Sequence, residues 1–260
     1  MRRDELVWLH AVTRDVPADR FAGAVGVGGD AVRLVTVGGL TAVVGGVPAA
    51  EFGEDPLRRN LEDLAWLEVV ARAHHRVVDA VARAGPVVPM RLATVYRDDD
   101  RVGEVLADRR DDLSAVLDRL AGRAEWGVKA YAVPGAAVAA VDREVRDDRP
   151  GLAYLRRRQA QLSSAELAQQ AALRAAERVH DVLGRHAAAA RRHPPQDRRL
   201  TGRAGWMVLN GAYLNGADHA GDFAVLVGTL AGRHPELHLE VTGPWPPYSF
   251  AGLDMAELGR

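Results

Sequence analysis

In the first third of the chain, apolar positions fall into short runs broken by glycine, proline or charge. Residues 6–12, 31–37 and 40–44 are such runs, rich in β-branched side chains, and each predicts a strand. Gly38-Gly39 predicts a tight hairpin between the second and third, because glycine accepts the positive φ of two-residue turns. Past Pro56 the period changes. Leu57, Leu61, Leu64, Leu67, Ala71, His74, Val78 and Val81 step by three or four, which predicts one continuous helical face up to the Gly85-Pro86 stop. Residues 87–88 and 92–96 read as extended. Asp98-Asp99-Asp100 opens a second helix, acidic at its positive end, with Val102, Val105, Leu106, Leu113, Val116, Leu117 and Leu120 facing inward.

The second half repeats the alternation. Residues 126–133 predict a strand, and an Ala/Arg-rich helical region follows from about Gly151. Ser163-Ser164-Ala165-Glu166 has the form of a capping box, so this region is expected to be two helices, 152–162 and 164–190, or one continuous helix. Residues 191–203 are expected to be an exposed loop, 206–214 a strand, 222–230 a short helix and 237–241 a strand. From Gly243 onward the prolines predict irregular structure. The order β-β-β-α-β-α, then β-α-α-β-α-β, predicts an α+β fold of two domains, each a small, mostly antiparallel sheet covered by helices. The boundary is expected near 121–124. That gives an N-terminal domain over 1–121, a C-terminal domain over 122–243 with a long helical insertion at about 151–192, and a tail over 244–260.

Composition narrows the chemistry. The 260 residues contain no cysteine, which removes disulfides, thiolate metal sites and a cysteine nucleophile. Lys129 is the only lysine and no Gly-Lys-Ser/Thr surrounds it, which removes a Walker-type phosphate loop. Lys plus Arg number 34 against 35 Asp plus Glu, a balance that disfavours a generic nucleic-acid binder. No apolar run approaches the ~20 residues of a membrane span. The N-terminus lacks the apolar stretch of a signal peptide, so a cytoplasmic protein is expected.

Individual motifs add little catalytic promise. Gly23, Gly26, Gly28 and Gly29 precede a strand and not a helix, so a turn is expected there, not a dinucleotide loop. His74 and His75 are adjacent and diverge by ~100° on a helix, so they do not chelate one metal. His74 is expected in the core with a hydrogen-bond partner, and His75 beside a groove or the second helix. His234-Pro235-Glu236-Leu237-His238 has the wrong order for a zincin site, and Pro235 breaks the helix that site needs. Ser114, Ser163, Ser164 and Ser249 lie in no nucleophile elbow. The triplet Asp98–Asp100 is expected to serve as a helix start, with weak cation binding as the alternative. Arg156-Arg157-Arg158 is expected to be a solvated helix face, with an anionic partner such as DNA as the alternative.

Several segments remain that are too particular for a plain scaffold: Arg59-Asn60-Leu61-Glu62 with Trp66; Ala73-His74-His75 with the run from Pro86 through Pro89, Met90 and Arg91 to Tyr96; Glu125-Trp126-Gly127-Val128-Lys129; Leu209-Asn210-Gly211-Ala212-Tyr213-Leu214; and Glu240 to Phe250, including Trp245-Pro246-Pro247-Tyr248-Ser249-Phe250. Through these the sequence resembles the gas vesicle protein F/L family over nearly its whole length. The motifs do not separate the F-like from the L-like branch. The resemblance implies two ferredoxin-like-related α+β domains, no enzyme activity, no cofactor and no metal. It also implies a role in gas vesicle formation, through contacts with the small hydrophobic shell protein and with other accessory gas vesicle proteins, in the cytoplasm and associated with the vesicles.

The family motif positions Asn60, Trp66, His75, Pro89, Arg91, Tyr96, Trp126, Lys129, Asn210, Tyr213, Trp245, Pro247, Tyr248 and Phe250 are thereby candidates for fold or interaction, not catalysis. Arg91 is expected either to pair with Glu62 or Glu68 or to be solvated. The Trp-Pro-Pro-Tyr tail is expected to pack as an arm across the fold, with an exposed docking peptide as the alternative. Strand addition at a sheet edge is an expected way of holding a hydrophobic subunit. The competing expectation is a small-molecule-binding or enzymatic protein that uses the inter-domain cleft, lined by His75, Arg91 and Tyr96.

Overall fold

The computed structural model describes residues 4–14, 23–133, 150–196 and 205–252. The chain forms two compact units. One holds the residues up to Glu125 and returns to include those from Trp245 onward; the other runs from Trp126 to Pro244. Both are α+β, with an antiparallel sheet covered by helices.

In the first unit, β1 (Glu5–Thr13) is central, flanked by β3 (Leu40–Pro48), which in turn pairs with β2 (Arg33–Val37). The predicted hairpin is present: Val37 faces Leu40, and Gly38 and Gly39 have φ of 59° and 83°. Two short strands, β4 (Val87–Pro89) and β5 (Val95–Tyr96), share the other side of β1. Between them the chain swings past His10, where the β1 ladder is irregular. Met90 N donates to His10 O at 3.0 Å and Leu9 N to Thr94 O at 2.9 Å. Pro89, at the end of β4, sits where a missing donor costs least.

A short helix, α1 (Ala49–Phe52), precedes Pro56, and the helix expected to run unbroken from Pro56 is two: α2 (Glu54–Asn60) and α3 (Leu64–Ala84). The break occurs because Asp63 caps α3, its carboxylate accepting from Ala65 N and Trp66 N at 2.9 and 3.3 Å. The apolar stripe shifts accordingly. Val70, Ala73, His74, Val77, Val78 and Val81 are buried, whereas Leu61 and Leu64 are exposed. The next helix starts as expected, with Asp98 accepting from Arg101 N at 2.8 Å, but it divides at Arg109 into α4 (Asp99–Asp108) and α5 (Arg110–Leu120). All seven of its predicted inward residues are buried.

In the second unit the strand order is β7-β8-β6-β9, from β6 (Arg123–Ala132), β7 (Ala189–Arg192), β8 (Met207–Gly216) and β9 (Leu237–Trp245). Of the two expectations for the Ala/Arg-rich region, the continuous helix holds, as α6 (Pro150–His186). Its long-range continuity overrides the capping-box sequence, because Ala, Leu, Gln and Glu on both sides favour helix propagation. It ends at His186, short of the expected 190, and Ala189–Arg192 forms a strand where the end of that helix and the start of a loop were expected. Pairing with β8 from Ala189↔Leu214 to Arg192↔Gly211 supplies the order that the Ala-Ala-Arg-Arg sequence does not signal by itself. The remainder of that expected loop, from residue 197 to 203, and the residues beyond 252 lie outside the described residues. α7 (Ala220–Arg233) completes the cover. The core joins Trp126, Val128 and Ala130 of β6, Leu209 and Tyr213 of β8, the small residues Ala172, Ala175 and Ala176 of α6, and Phe223, Val227 and Leu230 of α7. Regular structure continues further than expected at the end of the chain. β9 runs through Gly243-Pro244, joined by a cis peptide bond, to Trp245, and a 3₁₀ turn spans Tyr248–Phe250.

Candidate interaction surface

The histidine pair divides its duties between core and surface. His74 lies inside the first unit, where its Nδ1 accepts from Trp8 Nε1–H at 3.0 Å and its Nε2–H donates to Met90 O at 3.1 Å. These bonds tie α3 to β1 and to the Pro86–Tyr96 motif. His10 of β1 stacks on His74, ring centroids 5.3 Å apart, with neither ring nitrogen hydrogen-bonded. Burial pushes His10 down to about 3, aided by the neighbouring His74. It pushes His74 down to about 4 against the bond to Met90, which acts upward. Both rings are therefore neutral at physiological pH.

His75, one residue on, meets the C-terminal arm. Its ring is 5.5 Å from Trp245 and 6.1 Å from Tyr248, and its Nδ1 is 3.4 Å from the Tyr248 hydroxyl. The arm is fixed at several points. Pro246, Pro247 and Phe250 are buried. The Glu125 carboxylate accepts from Ser249 N at 2.7 Å and from Ser249 Oγ at 2.6 Å, and Arg119 donates to Phe250 O at 2.9 Å. Burial raises the Tyr248 hydroxyl above its ordinary value, with Asp79 and Glu125 adding to the effect. Trp245 alone of the arm's large apolar groups remains 44 % exposed beside a 37 % exposed Tyr248.

Of the expected positions, the structure thus brings together His75, Trp245, Pro247, Tyr248 and Phe250. Most of the others hold the scaffold. Asn60 donates to Glu51 O at 3.1 Å and Trp66 Nε1 to the Glu51 carboxylate at 2.6 Å, with Trp66 against Phe52, so both close the α1–α2 corner. Arg91 is exposed while Glu68 pairs with Arg72, so the solvated alternative holds for that arginine. Tyr96 is buried opposite Val7, its hydroxyl raised by burial. His75, Arg91 and Tyr96 therefore have three different settings. Trp126 packs on Phe223, and Lys129 Nζ donates to Gln196 at 2.9 Å. Asn210 donates to Pro194 O at 3.0 Å, and the Tyr213 hydroxyl and His180 Nδ1 share a hydrogen bond of 2.7 Å. Glu125, Ser249 and Arg119 were not singled out in advance. The first two lie inside recognised motifs, and only folding reveals that those motifs meet.

Elsewhere the charged motifs are structural. Asp98 caps α4, Asp99 pairs with Arg33 at 2.7 Å, and His234 pairs with Glu236 at 3.2 Å where α7 gives way to β9. Among the described residues no group of three or more His, Asp or Glu gathers to hold a metal ion, and no helix is long and apolar enough to cross a membrane.

A family model described as "Gas vesicle synthesis protein GvpL/GvpF" matches residues 6–252. The chain belongs to the GvpL/GvpF family. It is 44 % identical over 255 residues to gas vesicle protein L of Streptomyces sp. (strain CB03234), covering 97 % of this chain and 95 % of that protein. Gas vesicle protein F of the same strain is 29 % identical over 235 residues, covering 88 % and 91 %. The fold matches the crystal structure of GvpF from Anabaena sp. PCC7120 with a TM-score of 0.69 at 19 % identity, over 96 % of this chain and 97 % of that one. GvpF from Microcystis aeruginosa matches with a TM-score of 0.65 at 17 % identity, over 95 % and 99 %. Membership gives this GvpL/GvpF chain a role in gas vesicle formation, and the motifs that carried the resemblance include those that anchor the arm on α3.

Proposed function

We propose that this protein is a non-catalytic accessory factor that binds the hydrophobic shell protein, and other accessory gas vesicle proteins, in the cytoplasm while vesicles are built. The observation that carries this is the outward indole of Trp245. Aromatics are scarce in this chain, and the rest of the arm is fixed by burial and by the Ser249–Glu125 hydrogen bonds, yet Trp245 stays half in solvent. A rigidly held, exposed tryptophan is suited to binding, because little conformational freedom is lost when a partner covers it. Leu64, 75 % exposed, lies about three turns before His75 on the same side of α3, with the Glu68–Arg72 ion pair between them. Nascent shell subunits need such apolar cover before they assemble.

The test is capture of purified shell protein by the immobilised full chain, together with light scattering of the shell protein alone and with the chain added. Wild type is expected to retain the subunit and to slow its aggregation. Trp245→Ala is expected to weaken capture by at least tenfold, as loss of an interface anchor does. Equal capture by wild type and Trp245→Ala would remove this surface from the mechanism. No capture and no effect on aggregation would remove shell binding altogether.

A further inference from the structure

The strand order of the second unit ends at β7, which is bonded to β8 on one side. His193 N donates to Asn210 O at 2.8 Å, so these two residues form a bonded pair of the ladder. Bonded and unbonded pairs alternate along an antiparallel ladder. Arg191 therefore bonds to β8, whereas Ala190 and Arg192 turn their N–H and C=O groups outward. Among the described residues no backbone group meets them there. Ala190, Arg191 and Arg192 are all exposed. Such a row of open donors and acceptors is a template for another extended chain.

The side chains select which chain. Ala190 lies opposite Tyr213, which faces the core under α6, so Arg192 is on the α6 side and Arg191 on the other face. On the α6 side, His180 has its proton affinity lowered by burial and then by Arg192, while Asp181 acts in the opposite sense. Neither Arg191 nor Arg192 has an ion-pair partner among the described residues. The sheet edges at β2 and β9 differ. Arg33 of β2 is paired with Asp99, and β9 carries His238 beside Glu240 and contains Pro244. Only at β7 do open backbone groups coincide with uncompensated charge of one sign.

We propose that β7 is a docking edge for an extended acidic segment of a partner protein, which adds as a further antiparallel strand with adjacent carboxylates opposite Arg191 and Arg192. The open N–H and C=O groups of Ala190 and Arg192 supply the ladder, and the two guanidiniums supply selectivity through charge-assisted hydrogen bonds on both faces. A second copy of the chain does not fit. Antiparallel self-pairing of Ala190 with Arg192 sets the two copies of Arg191 directly opposite each other on one face, and like charges so placed repel. An apolar strand would desolvate the guanidiniums without offering an acceptor. A nucleic acid offers phosphates to the arginines but nothing that matches the outward backbone groups.

The experiment uses the full ¹⁵N-labelled chain and the peptide acetyl-Thr-Val-Glu-Glu-Val-Thr-amide. Its controls carry Gln-Gln or Lys-Lys at the centre, or the acidic sequence N-methylated at both Glu residues. The acidic peptide is expected to shift the amide resonances of Ala190, Arg191 and Arg192 saturably and to slow hydrogen exchange at Ala190 and Arg192, the two amides open in the free chain. The Gln-Gln peptide is expected to bind about tenfold more weakly, and the Lys-Lys and N-methylated peptides to give no saturable shift. Added salt should weaken the acidic peptide. Arg191→Gln is expected to weaken it about tenfold, and R191E with R192E to accept the Lys-Lys peptide in its place; both residues are exposed, and melting curves report folding. Equal binding of the Gln-Gln and acidic peptides would overturn the proposal, as would the absence of a saturable shift at millimolar peptide. An N-methylated peptide that binds as tightly as the unmodified one would overturn strand addition. A thymidine hexanucleotide that shifts the same resonances at lower concentration than the peptide would make the edge a nucleic-acid site instead. The edge belongs to the second unit, and every outcome is read without Trp245 or shell protein.

Discussion

His10 and His74 form a neutral, stacked pair inside the first unit, and both have reduced proton affinity in the fold. In the unfolded chain each titrates near 6.5, so the unfolded state takes up protons first as pH falls. The stability that depends on keeping the rings neutral is complete above about 6.5. It drains away between 6.5 and the folded values of about 4 and about 3, by about 1.4 kcal/mol per pH unit for each ring. Urea unfolding is therefore expected to show constant stability from pH 7 to 8 and a marked fall from pH 6 to 5. In His10→Leu, which removes two orphaned ring nitrogens, the pH 7 value should stay within about 1.5 kcal/mol of wild type and the acid slope should fall by about half. Identical slopes in the two proteins would show that His10 is already charged in the fold. His74 was legible in sequence, because it falls on an apolar helical stripe. His10 was not, because one polar residue in a strand-like run gives no sign of which way it faces. Gly211 makes a second residue-scale case. A Cβ there would sit 2.6 Å from the Tyr213 hydroxyl oxygen, which explains the glycine of the Asn-Gly-Ala-Tyr motif as space for the tyrosine ring. Gly211→Ala is expected to cost about 1–3 kcal/mol in urea unfolding, because the ring must leave His180 to make room.

Among the elements, the C-terminal arm shows most clearly how packing decides order. Three prolines in four residues deny it a helix or an inner strand, yet Phe250 in the core and Ser249 on Glu125 fix it. Phe250→Ala is expected to destabilise the first unit by about 3–5 kcal/mol. If the arm is held chiefly by that ring, amide exchange at Tyr248 and Ser249 should accelerate in this variant more than exchange in β1. Equal acceleration in both would mean that the arm and the sheet open only together. Which elements could be foreseen follows the same logic. The Gly38-Gly39 hairpin, the Asp98 start of α4 and the buried face of α4 and α5 rest on local chemistry, and local chemistry is written in adjacent residues. The break at Asp63 was missed because the leucine period runs on through it, although the carboxylate that stops it is also local. β7 was missed for a different reason: Ala-Ala-Arg-Arg has little strand preference, and only β8 beside it makes it one.

At the scale of the whole molecule, the linear motifs named the family but not the surface. Glu125 and Ser249 meet across the first unit although one follows its last helix and the other nearly ends the chain, and no spacing rule joins them. Once joined, the fourteen motif positions, the solvated Arg91 apart, separate into those that hold the scaffold and the few around Trp245 that reach solvent. That separation predicts different consequences in the cell. Asn60→Ala, which removes a bond to Glu51 O at the α1–α2 corner, should act through stability and protein level. Trp245→Ala should leave stability within about 1 kcal/mol of wild type, because the ring is half exposed and its removal opens no buried cavity. It should nevertheless reduce vesicle number when supplied to a deletion strain at wild-type protein level, counted by electron microscopy. Trp245→Phe keeps an aromatic face at the same place and should restore most of the vesicles, which a role in hydrogen bonding through the indole N–H would not allow. A full vesicle count with Trp245→Ala at matched expression would mean that the exposed indole is not where this protein meets its partners in assembly, and that some other part of its surface makes that contact.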